Sequence, residues 1–204
     1  MDDGATRRDL LRRGLTASLA GAAGTTLLMP ASAAAAGPPS PSASDTATLQ
    51  RMLSVKLLSL FVYQQILAPT TLGSRAKRAL RPLRAHEQAH VRVLSASLAA
   101  LGAALPLGPA SAAAADHDLG RREVPGRLGQ LRGAHDALRL LLSVERVTIG
   151  VCFVALTKLE DPLLIRLAAQ IMATDAQHEA VVGEVRSPGN GAMAVPYGLV
   201  QGVQ

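Results

Sequence analysis

Two short motifs in this chain place an acidic residue and a histidine three positions apart. Glu87 and His90 form the first pair, and Asp175 and His178 form the second. Residues three apart on an α-helix lie on the same face, so each pair can direct a carboxylate and an imidazole at one point. Carboxylate and imidazole ligands together suit iron, manganese or zinc. The motifs therefore indicate a metal site, provided that the fold brings them together.

Two further charged residues stand where the helical pattern calls for apolar ones. Glu145 lies in a run of Leu, Val and Ile, and Lys56 falls within the apolar stripe of its helix. A buried charge is costly unless it is paired or binds a metal. Lys56 and Glu87 lie about three helical turns from the turn that joins their helices, and Glu145 and Asp175 almost four turns from theirs. All four side chains can therefore meet at mid-height.

Four amphipathic helices must position these residues. The chain has 204 residues, of which 49% are hydrophobic, enough for one domain with a core. Ala and Leu dominate and aromatic residues make up only 2%, which favours helix over sheet. The apolar stripes predict helices at about 46–67, 74–101, 127–159 and 162–185, the third with Gly129 and Gly133 as points where it can break.

A long connection, from about Gly102 to Pro125, separates the second helix from the third. A structureless loop of this length is unusual inside a compact domain. It is, however, what a crossover needs when the second of two helix hairpins starts at the far end of a bundle. We therefore expect an all-α fold: an up-down four-helix bundle with a long crossover between its second and third helices.

The N-terminal segment predicts export. Residues 6–11, with Arg7 and Arg8, resemble a twin-arginine motif, and a moderately apolar stretch and small residues follow. The alternative is a basic tail followed by an Ala-rich membrane helix, but the apolar stretch is shorter than the roughly 20 residues of a span. We expect a protein exported by the twin-arginine route to the periplasm, cell envelope or extracellular space. The predicted divisions are an export signal at 1–36, a linker at 37–45, the bundle at 46–186 and a tail at 187–204.

Composition argues against several other classes of protein. The net charge is +6, yet no long Lys/Arg block exists and only two Tyr and two Phe could stack on bases, so we expect no nucleic-acid partner. After removal of the signal no stretch predicts a membrane span; residues 138–159 come closest, but Glu145 and Arg146 interrupt them. The lone cysteine, Cys152, allows no internal disulfide and is most simply a buried core thiol.

The mature chain resembles a ferritin-like domain of the secreted bacterial kind, from about residue 46 to the C-terminus. The residues that carry the resemblance are the runs 86–91, 142–145 and 173–178, together with Val195-Pro196-Tyr197. The resemblance implies a four-helix fold with a crossover. In complete members it implies a di-iron carboxylate centre for metal oxidation or oxygen chemistry, built from one Glu on each of two helices and a Glu-x-x-His on each of the others.

The chain departs from that pattern at two positions. Asp175 stands where the resemblance implies a Glu, and it reaches about one methylene less far. Lys56 stands where another Glu is implied, and a protonated ammonium cannot bind a metal. We hypothesise that Lys56 takes the place of one metal, which leaves one iron or manganese ion, or none. The predicted metal ligands are Glu87, His90, Glu145, Asp175 and His178, and Lys56 and Tyr63 are predicted to line the site.

Each of these assignments has a structural alternative. The Glu87–His90 pair could be solvated on an exposed face, and the Asp175–His178 pair could have a helix-terminal role. Lys56 could extend its ammonium out of the bundle into water.

Other polar residues have simpler interpretations. Tyr63 could be a redox group beside the site, although core packing explains it more simply. His86 is expected at the periphery of the site, and His117 and His135 are expected at the surface.

These residues leave three functional interpretations open. The first is an exported metal-binding protein, with oxidase-type activity only if it binds a redox metal. The second is a metal-free structural or interaction bundle of the cell envelope, which Lys56 favours. The third is a self-assembling partner domain that forms a homodimer, since the third helix is apolar over most of its surface. Metal ions are the partners that the first interpretation predicts.

Overall fold

The structure is a computed structural model that describes residues 42–68 and 72–190. The predicted export signal at 1–36 lies outside the described residues. So do most of the predicted linker and the part of the tail from residue 191 onwards.

Within this part of the chain every regular element is helical. The α-helices are α1 (Ala43–Leu67), α2 (Ser74–Ala100), α3 (Ala112–Arg121), α4 (Ala134–Leu156) and α5 (Pro162–Arg186). A short 3₁₀ helix spans Leu128–Gln130. The prediction of an all-α fold is confirmed for these residues, and the four long helices correspond to the four predicted ones.

Side-chain caps set the starts of two of the four long helices. The Ser42 side chain accepts a hydrogen bond from the Asp45 amide at 3.1 Å, so α1 begins at Ala43, three residues earlier than predicted. The last residues of the predicted linker are therefore helical. Asp161 caps α5 in the same way, through the Leu163 amide at 2.7 Å, with Pro162 at the first helical position, as predicted.

The crossover contains a helix that the sequence pattern did not predict. Ser111 caps α3 by accepting from the Ala114 amide at 3.1 Å, and Ala115 and Leu119 bury one face of this helix against the core. Its Ala-rich sequence carries too few large apolar residues to show a stripe. The helix forms because α3 packs against α1, which buries its short apolar face.

The third long helix begins later than predicted. The prediction placed its start near residue 127, but α4 starts at Ala134, directly after Gly133. Asp116 accepts hydrogen bonds from the amides of Leu128 and Gly129, at 2.5 and 3.0 Å, and so holds this segment outside the helix. The break therefore falls at the glycines that the sequence singled out.

The four long helices pack in a closed order. Helix α1 lies against α2 and α4, and α5 lies against α4 and α2. Two apolar clusters form the core between them. One includes a residue from each long helix: Val62, Leu80, Leu141 and Val182. The other also draws on all four: Leu53, Leu94, Cys152 and Ile171.

A layer of buried charged residues separates the two clusters. Along α1 and α5 the chain passes from the second cluster, through charged residues, to the first cluster. Along α2 and α4 it passes in the opposite order. Every long helix therefore contributes to one polar layer in mid-core, which is where the heights of the charged residues predicted that they would meet. Among the described helices, none is both long and apolar enough to cross a membrane.

Candidate metal centre

The polar layer contains all six of the charged and histidine residues that the sequence predicted to converge. They are Lys56 on α1, Glu87 and His90 on α2, Glu145 on α4, and Asp175 and His178 on α5. Lys56 and the three acidic residues are fully buried, and the two histidines are at most 9% exposed. The alternatives of a solvated pair on α2 and of a helix-terminal role on α5 are therefore wrong.

The Lys56 ammonium lies between two carboxylates. It donates to Glu87 Oε1 at 2.9 Å, to Glu87 Oε2 at 3.2 Å and to Asp175 Oδ1 at 2.6 Å. The alternative that this side chain extends into water is wrong, because carboxylates on α2 and α5 bind the ammonium inside the core. Lys56 thus joins three helices at the polar layer.

Four residues of the layer have the spacing of a metal-binding group. One ligand atom from each of Glu87, Glu145, Asp175 and His178 lies within 4.8 Å of the others. Within residues 42–68 and 72–190, Glu145 Oε2, Asp175 Oδ2 and His178 Nδ1 are buried and make no hydrogen bond. Buried polar atoms normally have partners. These residues therefore fit a cation that the carboxylates and the imidazole would share.

The two histidines of the predicted ligand set stand in different places. His178 Nδ1 is 3.4 Å from Glu87 Oε1 and 3.5 Å from Glu145 Oε1, so it faces the carboxylates of the cluster. His90 Nδ1 is 3.5 Å from Glu87 Oε1 and 3.6 Å from Asp175 Oδ1. Both of those oxygens accept hydrogen bonds from Lys56, whereas of the two oxygens near His178 only Glu87 Oε1 does so. His90 therefore lies on the Lys56 side of the layer, outside the group of four.

Tyr63 belongs to both the core and the site. Its ring is fully buried in the first apolar cluster, and its hydroxyl donates to Glu145 Oε1 at 2.5 Å. Tyr63 follows Lys56 by two helical turns on the same face of α1, which explains why both reach the layer. The predicted place of Tyr63 beside the site agrees with this contact.

A comparison with known families identifies the domain. A family model described as a ferritin-like domain matches residues 44–187. The chain belongs to the ferritin-like domain family. No curated protein and no solved structure matched the chain. The resemblance to ferritin-like proteins is thus confirmed, while secretion and the twin-arginine signal stay predictions.

The carboxylates of this ferritin-like domain keep Lys56 charged. Burial alone lowers the pKa of Lys56, but the charges of Glu87, Asp175 and Glu145 outweigh burial and raise it. Conversely, burial raises the pKa of Glu87, but the Lys56 ammonium and the two histidines hold it well below its usual range. The Lys56–Glu87 pair is therefore ionised at neutral pH.

The pKa values of Asp175, His178 and His90 in the ferritin-like layer shift in different directions. Burial raises the pKa of Asp175 to about 7; Lys56 opposes this rise, and the Glu87 and Glu145 charges add to it. Burial lowers the pKa of His178, but Glu145 and Glu87 outweigh it and raise the pKa to about 9. For His90, burial is the main cause of a lowered pKa, and Lys56 lowers it further. The carboxylates of the layer therefore stabilise positive charge on His178 as well as on Lys56.

One contact of the site was underestimated from the sequence. His86 was expected only at the periphery, but its Nδ1 lies 3.1 Å from Nε2 of His178, with the two rings stacked at 5.3 Å. Its position directly before Glu87 was the available signal. Cys152 is a buried core thiol, and His117 and His135 are exposed, as predicted.

Proposed function

We propose that this ferritin-like domain binds one divalent transition-metal ion per chain, in a layer whose second cation is the Lys56 ammonium. The observation that carries the proposal is the placement of Lys56, which bridges Glu87 and Asp175 inside the core. Glu87 and Asp175 face a cation whether that cation is a metal or the Lys56 ammonium. The ammonium supplies that cation on the α1 side, and Glu145 and His178 remain for a metal.

The helix order supports the same view of the fold. On every long helix, charged residues lie between the residues of the two apolar clusters. The order in which the chain passes through these clusters reverses from α1 to α2 and again from α4 to α5. Hairpins of that kind, joined by the segment that contains α3, correspond to an up-down bundle with a crossover. We infer that topology for the domain.

The charges in the layer favour one metal over two. When all three carboxylates of the layer are ionised, the Lys56 ammonium balances one of their three negative charges. One divalent cation, with a neutral His178 as ligand, brings the layer to neutrality. A second divalent cation would leave an excess of positive charge in the core, where an unpaired charge is costly.

The donor set suits iron or manganese. Glu145 and His178 would hold the ion, with Glu87 and Asp175 each shared between it and Lys56. A bound redox metal would supply metal-oxidation chemistry of the ferroxidase type. This chain's own residues would fix the ligands, keep water out of the layer, and hold a proton on Tyr63, whose pKa burial and Glu145 raise well above its usual value.

Metal counting tests this proposal. The full chain would be stripped with a chelator and dialysed against Mn²⁺, which avoids oxidation during the experiment. We expect one Mn²⁺ per chain in the wild type, and none in a Glu145→Gln, His178→Asn double variant. A control with His117→Asn, on the exposed side of α3, should keep one. Two ions per wild-type chain would overturn the proposal.

A second function is favoured by the same lysine. Because Lys56 already pairs with Glu87 and Asp175, the layer holds a cation without any metal. The domain would then be a metal-free structural or interaction bundle. In that case Mn²⁺ would not bind above background, and thermal unfolding would be identical with and without chelator.

Export is proposed from the sequence alone, since residues 1–36 lie outside the described residues. Replacing Arg7 and Arg8 together by Lys should retain the protein in the cytoplasm, as judged by cell fractionation. Export of that variant at the wild-type level would contradict the twin-arginine assignment. The homodimer stays a prediction.

A further inference from the structure

We propose that His86 is a positioning residue for the metal site: its Nδ1 accepts a hydrogen bond from Nε2–H of His178 and so directs the Nδ1 of His178 at the carboxylates. The inference rests on the proposed function, in which His178 is a ligand. It adds a residue that the ligand set does not include.

The geometry places the two rings in a defined relation. His178 Nε2 and His86 Nδ1 are 3.1 Å apart, within hydrogen-bond distance. The other nitrogen of His178 faces Glu87 and Glu145 at 3.4 and 3.5 Å. The two ring nitrogens of His178 thus have separate tasks, one toward the site and one toward His86.

The direction of the hydrogen bond decides whether His178 can bind a metal. A neutral imidazole carries one N–H, so one nitrogen donates and the other has a free lone pair. If His178 donates from Nε2, its Nδ1 lone pair points at the cluster and can bind a metal. If His86 were the donor, a neutral His178 would carry its proton on Nδ1, which could then not be a ligand. Metal-bound histidines commonly donate their second N–H to an acceptor that fixes the ring.

The surroundings of His86 suit an acceptor. The residue is partly buried on α2, and its ring lies nearly parallel to that of His178, at 12°. A neutral imidazole has one acceptor nitrogen, so His86 in that form can accept the hydrogen bond from His178. Within the described residues, His86 is the one hydrogen-bond partner of His178 Nε2.

The first test is independent of metal. Two-bond ¹⁵N–¹H spectra of the metal-free, ¹⁵N-histidine-labelled full chain distinguish protonated from unprotonated ring nitrogens. We expect His86 as a neutral ring protonated on Nε2, with Nδ1 unprotonated, and His178 protonated on Nε2. A proton on Nδ1 of His86 would overturn the inference, whether or not the chain binds a metal.

The second test separates positioning from packing. Asn at position 86 can place its amide oxygen near the position of the imidazole Nδ1, whereas Leu keeps bulk without an acceptor. We expect His86→Leu to weaken Mn²⁺ affinity by about 10–100-fold, with the number of ions bound at saturation unchanged, and His86→Asn to restore most of the loss. His117→Leu, the same substitution at an exposed site, should leave the affinity unchanged.

The outcomes distinguish this inference from the proposed function. If the wild type binds Mn²⁺ and His86→Leu binds it equally well, the positioning role is wrong and the metal site stands. If His86→Asn is as weak as His86→Leu, the role is packing and the inference is overturned. If the wild type binds no Mn²⁺, the proposed function fails, and the ¹⁵N spectrum alone supports or overturns the hydrogen bond.

Discussion

The Glu87–His90 pair and the Asp175–His178 pair share one spacing but differ in their surroundings. His90 faces carboxylate oxygens that already accept hydrogen bonds from Lys56. His178 Nδ1 faces Glu145 as well as Glu87, and like His90 Nδ1 it makes no hydrogen bond within the described residues. The pKa of His90 is lowered, mainly by burial, whereas carboxylates outweigh burial at His178 and raise its pKa to about 9.

The difference arises from residues outside the motifs. On the His90 side, α1 contributes the Lys56 ammonium, which supplies positive charge where a metal would otherwise do so. On the His178 side, α4 contributes Glu145, whose Oε1 accepts a hydrogen bond from Tyr63 while its Oε2 has no hydrogen bond within the described residues. A repeated acid-and-histidine motif therefore shows where groups meet, and the facing helices decide which half is left for the proposed metal.

The largest effect is expected from removing the cation of the His90 half. Lys56→Met leaves Glu87 and Asp175 buried without their shared partner. Breaking a buried ion pair from one side costs about 3–5 kcal/mol, so urea unfolding of the metal-free protein should show a loss of that size. Lys158→Met, at an exposed lysine, should change stability by less than about 0.5 kcal/mol. A Lys56→Met variant as stable as the wild type would show that the two halves do not differ in the way described.

The two histidines should differ in their effect on metal affinity. His178→Leu should weaken Mn²⁺ binding by at least about 100-fold. Loss of a residue that only hydrogen-bonds a metal ligand already weakens metal affinity by about 10–100-fold. His90→Leu, the matched change in the other pair, should weaken it by less than about tenfold. Competition with a fluorescent chelator measures both, after circular dichroism has verified the fold. Equal losses for the two variants would remove the distinction between the halves.

Metal affinity should rise with pH because protons compete for the His178 half. The pKa of His178 is about 9, so at lower pH a metal must displace its proton. Apparent Mn²⁺ affinity should fall about tenfold per pH unit from pH 9 to pH 7. Below pH 7 it should fall more steeply, because the pKa of Asp175 is about 7. Calorimetric titrations in buffers of different ionisation enthalpy would count the released protons, and a flat profile would contradict the assignment of His178.

The smallest effect is expected at Tyr63. Tyr63→Phe keeps the buried ring and removes only the donor to Glu145 Oε1. Hydrogen bonds to charged groups contribute about 1.5–3 kcal/mol, so metal-free stability should fall by that amount. Chemical unfolding measures the change, and an unchanged midpoint would mean that Glu145 does not depend on this donor.

Much of the fold and site could be predicted because the signals were periodic. The stripes on the four long helices placed Glu87, Glu145, Asp175 and His178 at one height, and the structure brings them together. The charge of Lys56 in an apolar stripe marked it as unusual. Its burial could not be predicted, because the sequence does not show whether carboxylates on other helices face it.

Local tertiary contacts explain what the sequence missed. Helix α3 lacks a clear stripe and forms because Ala115 and Leu119 are buried against the core. The start of α4 depends on Asp116, which lies 12 residues before Leu128, the first residue whose amide it binds. The His86–His178 contact joins α2 to α5 and has no periodic signature. Such pairings become visible only when the helices are assembled.

The most direct test of the central claim is the position of the metal. Crystals of the full chain grown with Mn²⁺ would be measured for anomalous scattering. We predict one peak per chain, adjacent to Glu145 and His178 Nδ1, with Lys56 still paired with Glu87 and Asp175. Two peaks in the layer, or a peak between Glu87 and Asp175 with Lys56 displaced, would contradict the account.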